Sequence, residues 1–136
     1  MKVLGIIPSR YESTRFPGKS LIDIMGKTMI QRVYEQAKKS KQLDDLVVAT
    51  DDQRIFEKVK SFGGSVIITG NHHKNGTERC LEVAKSLRAQ FVVNIQGDEP
   101  FIQPEQIDEL CSIISPDTDL ATLIKRIKDP SDLENP

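Results

Sequence analysis

Tryptophan is absent from the 136 residues, aromatic residues make up only 5%, and neither sign of charge dominates: nineteen Lys and Arg face twenty Asp and Glu, a net −1. A nucleic-acid binder ordinarily presents a broad basic face interleaved with stacking groups, so that class of partner loses its support. Cysteine is scarce as well. Cys80 and Cys111 stand in neither a CxxC nor a metal-ligand spacing and read as core thiols in a reducing compartment. Long apolar runs are missing: the stretch Val3 to Ile7 falls far short of the ~20 residues of a membrane helix, and no signal-peptide hydrophobic region follows Met1. The expected location is the cytoplasm, with no membrane partner. What remains is an ordinary globular mixture, 38% apolar and 29% charged, of a length suited to about one domain.

The small net charge conceals an asymmetry. Residues 1–42 carry nine basic and three acidic side chains, +6, whereas residues 43–136 carry ten and seventeen, −7. The basic excess gathers near one loop, which suits a small phosphorylated ligand. Around it, apolar runs rich in β-branched residues alternate with helical patterns. Val3 to Ile7 is apolar throughout and predicts a central strand covered on both faces. A helix from Thr28 follows, with Met29, Ile30, Val33, Tyr34 and Ala37 at helical spacing and Lys38 and Lys39 near its end. Leu46 to Thr50 predicts a second strand, after which Asp51 or Asp52 caps a helix carrying Ile55, Phe56, Val59 and Phe62 and stopped by Gly63 and Gly64. Ser65 to Thr69 predicts a third strand and Thr77 the start of a helix with Cys80, Leu81, Ala84 and Leu87. Phe91 to Ile95 predicts a fourth strand, Pro104 opens a helix with Ile107, Leu110, Cys111 and Ile114, and Leu120 to Ile124 predicts a fifth strand. This alternation implies βαβ units and a three-layer α/β sandwich around a largely parallel sheet. No closing helix follows in residues 128–136, so residues 1–136 read as one part of a larger single domain.

Open parallel sheets bind ligands beyond the carboxyl ends of their strands, which directs attention to the loops after the first and fourth strands. The first runs Pro8-Ser9-Arg10-Tyr11-Glu12-Ser13-Thr14-Arg15-Phe16-Pro17-Gly18-Lys19-Ser20. Arg10, Arg15 and Lys19, the hydroxyl of Ser13 and the close backbone approach allowed at Gly18 suit a polyphosphate; the alternative is a solvated basic surface loop. The pattern is neither GxGxxG nor GxxxxGK[ST], which removes the main support for a hydride-transferring dinucleotide enzyme and for a P-loop ATPase. The second loop is Gln96-Gly97-Asp98-Glu99-Pro100. Mg²⁺ takes hard oxygens from one or two carboxylates plus substrate phosphates, so Asp98 is the candidate ligand; the alternative for this Asp-Glu pair is a structural turn. A third polar loop, Asn71 to Arg79, contains His72 and His73, but no spaced Cys or further His completes a zinc site. No nucleophile elbow supports triad hydrolysis.

Taken together, IPSRYESTRFPGKSL at Ile7 to Leu21, VVATDD at Val47 to Asp52, NGTERC at Asn75 to Cys80 and VNIQGDEPFI at Val93 to Ile102 resemble the 3-deoxy-manno-octulosonate cytidylyltransferases, or CMP-Kdo synthetases. The resemblance covers nearly the whole chain. It implies a nucleotide-diphosphosugar transferase type of fold and transfer of CMP from CTP to Kdo, giving CMP-Kdo and pyrophosphate for lipopolysaccharide synthesis, with Mg²⁺ as cofactor and a homodimer at full length. It further implies nucleotide contacts from Arg10, Ser13, Arg15, Lys19, Asn75, Gly76 and Arg79, a sugar-side position at Gln96 and a magnesium ligand in Asp98, with Arg15, Lys19 and Asp98 carrying catalysis. The family extends about as far again, and a second magnesium aspartate, much of the sugar pocket and most dimer contacts are implied to lie there. Asn75 and Glu78 replace the Ser and Asp of the family's usual SGTDR; Ser9 and Phe16 replace frequent Ala and Leu. A related sugar acid, such as 8-amino-Kdo or sialic acid, or a non-catalytic CTP-binding domain, are the alternatives.

Overall fold

The computed structural model describes residues 3–11, 18–70, 76–113 and 126–127. Along the chain come β1 (Val3–Ser9), a 3-10 turn (Lys19–Leu21), the short strands β2 (Asp23–Ile24) and β3 (Lys27–Thr28), α1 (Met29–Lys38), β4 (Asp45–Thr50), α2 (Gln53–Ser61), β5 (Val66–Ile68), α3 (Gly76–Leu87), β6 (Phe91–Ile95), α4 (Pro104–Ser112) and β7 (Arg126–Ile127). Five strands form one sheet in the order β5-β4-β1-β6-β7, each neighbouring pair parallel. β1 is therefore central, with Ile6 opposite Val47 on one side and Asn94 on the other.

The strand period of two divides the core. Val3 and Ile7 face α1, α2 and α4 and pack into a cluster with Ile30, Val33, Ile55, Val59 and Ile107. Leu4 and Ile6 face α3 and pack with Cys80, Val83 and Ala84. Each such aliphatic side chain removed from water contributes about 1.5–3 kcal/mol, which explains why β1 has almost no polar residue to spare. The expected three-layer α/β sandwich is thus observed. Both cysteines are buried; burial, reinforced by Asp108 and Asp44, pushes the thiol of Cys111 up to about 11, which leaves it protonated and unreactive.

Three local features bear on the sequence reading. The predicted strand Leu120 to Ile124 lies outside the described residues, and the strand described beside β6 is β7. A small antiparallel hairpin, β2–β3, precedes α1; its turn takes left-handed backbone at Met25 and Gly26 (φ 55° and 97°), and Arg32 holds it down by donating to the carbonyls of Ile24 and Met25. The choice between Asp51 and Asp52 as helix cap falls to Asp52, whose carboxylate accepts from the backbone N–H groups of Arg54 (2.8 Å) and Ile55 (3.3 Å).

That cap has a pH signature. A side-chain hydrogen bond from Arg54 is the main cause holding the Asp52 carboxyl below its ordinary value of 3.8, outweighing the opposing effect of burial. A carboxyl depressed in the fold contributes its stability in full above its unfolded value and loses it as pH falls through the lower, folded value. Asp52→Ala is expected to cost about 1 kcal/mol at neutral pH. In urea titrations the gap from wild type should close well below pH 3.8; a gap that persists there would assign the loss to packing.

Candidate functional site

The order of strands reverses direction at β1: the chain proceeds from β1 outward to β4 and β5, then returns to β6 on the opposite side. A crevice outside the carboxyl ends of β1 and β6 is the topological consequence. Two glycines determine what faces it. A Cβ on Gly97 would lie 3.1 Å from the carbonyl oxygen of Pro8, so any larger residue would press the exit of β6 away from the end of β1 by a few tenths of an ångström. Gly18 has left-handed backbone (φ 75°), and its N–H donates to the carbonyl of Tyr11 at 2.6 Å, which returns the chain to its starting point just before Lys19. A buried hydrogen bond between the hydroxyls of Ser9 and Ser20, 2.6 Å long, fastens the 3-10 turn to the end of β1.

The result is that Lys19 Nζ approaches Asp98 Oδ2 to 3.3 Å across 79 residues of sequence. Both side chains are close to half exposed, 45% and 49%. An ion pair in such a position is worth only about 0–1 kcal/mol, so either partner can be drawn away at little cost by a ligand that offers it a better counter-charge. Arg10 is exposed at the end of β1, and Gln96 is half-buried directly after β6. The structure thus brings Lys19 and Asp98 into contact. Gly76 begins α3; Ser13, Arg15 and Asn75 lie outside the described residues, as do His72 and His73.

Arg79, expected as a nucleotide contact, is held by the protein itself at the start of α3. Its side chain is 2% exposed, and its guanidinium donates to Thr69 Oγ1, to the Gly70 carbonyl at 3.3 Å and to Asp51 Oδ2 at 3.4 Å. The first turn of α3 packs over the exits of β4 and β5, so a long side chain there reaches inward to a carboxylate. Asp51, a helix-cap candidate by sequence, is that carboxylate. Sequence reasoning also passed over Asn94, whose amide is buried with no hydrogen-bond partner among the described residues, and Arg54, whose guanidinium carbon sits 3.2 Å from the centre of the Tyr11 ring.

The donor set decides what kind of metal site could form. Among the described residues no group of three or more His, Cys, Asp or Glu side chains could hold a metal ion. An all-protein cage is therefore not what these residues offer. Asp98 presents one half-exposed carboxylate beside a cationic turn, which fits Mg²⁺ held by a single protein oxygen together with phosphate oxygens and water.

A central parallel sheet with flanking helices and a Lys–Asp pair at the strand switch is the arrangement of a nucleotidyltransferase-like α/β fold. A nucleotidyl transferase from Methanothermobacter shares that fold with a TM-score of 0.71 at 14% identity, over 82% of this chain and 57% of that one. Residues 4–136 match the family model described as cytidylyltransferase, and the chain belongs to that family. It is 53% identical over 138 residues to the 3-deoxy-manno-octulosonate cytidylyltransferase of Cytophaga hutchinsonii, covering 100% of this chain and 55% of that protein. It also resembles the solved structure of CMP:2-keto-3-deoxy-manno-octonic acid synthetase complexed with CTP: TM-score 0.80, 46% identity, 82% of this chain and 46% of that one. The chain spans about half the length of the curated relatives it matches.

Proposed function

We propose that this chain supplies the CTP-binding part of an enzyme that transfers CMP from CTP to 3-deoxy-D-manno-octulosonate, yielding CMP-Kdo and pyrophosphate for lipopolysaccharide synthesis in the cytoplasm. The observation that carries the proposal is the 3.3 Å approach of Lys19 to Asp98 at the strand switch: a cation for phosphate and a carboxylate for a metal, already side by side. Similarity to 3-deoxy-manno-octulosonate cytidylyltransferases supports the choice of CTP and Kdo. Among the described residues no helix is long and apolar enough to cross a membrane. A homodimer at full length and the absence of nucleic-acid partners belong to the same proposal.

The chemistry requires the sugar's anomeric hydroxyl oxygen to bond to the α-phosphorus of CTP as the α–β phosphoanhydride bond breaks. The hydroxyl proton passes to water, and pyrophosphate leaves with the bonding electrons. No protein nucleophile takes part. In the free protein Lys19 neutralises Asp98; when the triphosphate enters, Lys19 turns to the phosphate oxygens and stabilises the charge that grows on the leaving group. Arg10 and Arg15, with Ser13, hold the nucleotide; Asn75 and Gly76 face the nucleoside and Gln96 the sugar, an arrangement whose value is orientation of the two reactants. Bound at Asp98, Mg²⁺ would neutralise phosphate charge and polarise the α-phosphoryl group.

The test is pyrophosphate release by the protein encoded in the full reading frame, supplied with CTP, Mg²⁺ and Kdo, and in parallel with 8-amino-Kdo or sialic acid. Release dependent on Kdo supports the proposal. Release only with another acid transfers the assignment to that sugar, and CTP binding without release under any arm reduces the protein to a CTP-binding module.

A further inference from the structure

We infer that Arg54 is a positioning residue for the basic turn: its guanidinium, stacked on Tyr11, sets the two ends of the loop from which Arg10 and Lys19 project. The inference rests on the CTP reading for its consequence, and on four contacts for its geometry. Tyr11 directly follows Arg10, and Gly18 directly precedes Lys19. Gly18 N–H donates to the Tyr11 carbonyl at 2.6 Å, so one short hydrogen bond closes the loop at its base. The same Tyr11 ring covers Gly18 so closely that a Cβ there would lie 3.0 Å from ring carbon Cε2. On the ring also sits Arg54, its guanidinium carbon 3.2 Å from the centroid.

Arg54 is itself held. Asp52 Oδ1 accepts from Arg54 Nε at 3.2 Å, and Asp52 Oδ2 from a terminal guanidinium nitrogen at 2.8 Å, while the same carboxylate caps α2. The guanidinium plane is thereby fixed relative to a helix whose Ile55 and Val59 are wholly buried in the core. A path of direct contacts therefore runs from core to loop: α2, Asp52, Arg54, Tyr11, Gly18. The Ser9–Ser20 hydrogen bond ties the same turn to β1 and Tyr11 packs against the edge of the core, while Arg54 supplies the contact over the face of the ring. A cation over an aromatic face is attracted by the ring's negative quadrupole, and a guanidinium adds planar stacking that an ammonium lacks. Arg54 is 56% exposed at its side chain, so its removal leaves no hole in the core. Its effect is on where Arg10 and Lys19 stand when a polyphosphate arrives, a cost otherwise met from binding energy.

Hydrogen exchange at the Gly18 amide, measured without nucleotide on the protein encoded in the full reading frame, reads the clamp directly; CTP titration reads its consequence. Arg54→Met should speed Gly18 exchange and weaken CTP binding, each by about tenfold, while the amides of Phe56 to Val59 keep wild-type protection. Arg54→Lys should restore part of both. Tyr11→Leu should match Arg54→Met, and the double variant should add little to either, as expected of residues acting through one contact. Wild-type exchange at Gly18 in Arg54→Met would overturn the inference, as would weakened CTP binding without faster exchange, which would make Arg54 a direct nucleotide contact. Full additivity in the double variant would overturn it too. If wild type fails to bind CTP, the proposed function falls, and Gly18 exchange still decides the clamp.

Discussion

Lys19→Gln should lower CTP-dependent pyrophosphate release by about 10²–10³-fold, the scale associated with loss of one preorganised donor to developing charge, while thermal stability stays close to wild type. The separation follows from exposure. Lys19 and Asp98 are 45% and 49% exposed, and a surface pair of that kind contributes about 0–1 kcal/mol to folding. Asp98→Asn should depress turnover on a similar scale, but the two variants part company in binding. With divalent cations chelated, a carboxylate beside an incoming triphosphate is repulsive and a lysine attractive. Asp98→Asn should then bind CTP at least as tightly as wild type, and Lys19→Gln more weakly. Addition of Mg²⁺ should tighten CTP binding to wild type and to Lys19→Gln, and to Asp98→Asn least of all. Calorimetric titration with and without Mg²⁺, beside melting curves, checks each sign. Wild-type turnover in Asp98→Asn would remove Asp98 from the metal role, and a large loss of melting temperature in Lys19→Gln would make the pair structural.

The crevice could be foreseen because two strong patterns converge on it. Val3 to Ile7 is apolar throughout and Phe91 to Ile95 is interrupted only by Asn94, the pattern of strands buried on both faces, and in a parallel sheet the carboxyl ends of such strands lie along one edge. The contact between Lys19 and Asp98 followed from that rule and not from any local signal. Asp51 and Asp52 show the opposite case. Two identical neighbours offer the same capping chemistry, and the difference arises from what surrounds them: Asp52 takes extended backbone and turns to the N–H groups of α2, whereas Asp51 faces a guanidinium 28 residues away. The β2–β3 hairpin escaped notice since strands of two residues carry no period, and its Met25-Gly26 turn lacks the Asn or Asp that usually signals left-handed backbone. Arg32, from the following helix, supplies what local propensity does not. The stacking of Arg54 on Tyr11 was equally hidden, because a polar residue in a helix's first turn reads as solvent-facing whichever way it bends.

Arg79 is the same problem in its strongest form, and it yields the second large effect. Asp51→Asn should destabilise the fold by about 3–5 kcal/mol, the scale for leaving a buried charge without its partner. Arg79→Met should cost less, roughly 1–3 kcal/mol from the hydrogen bonds lost at Thr69 and Gly70. The asymmetry comes from burial: the Arg79 side chain is 2% exposed and Asp51 24%, so an abandoned aspartate regains water and an abandoned guanidinium does not. For the same reason the double variant should be more stable than Asp51→Asn alone, since removing the guanidinium removes the stranded charge. Urea unfolding of the three variants measures all of this. A cost for Arg79→Met equal to or above that of Asp51→Asn would shift the role of Arg79 from paired charge to packing. Arg79 links the exits of β4 and β5 to the start of α3, so in Arg79→Met any weakening of CTP binding should be recovered at lower temperature along with folded protein. Weak binding by a fully folded Arg79→Met would instead return this side chain to the nucleotide's immediate surroundings.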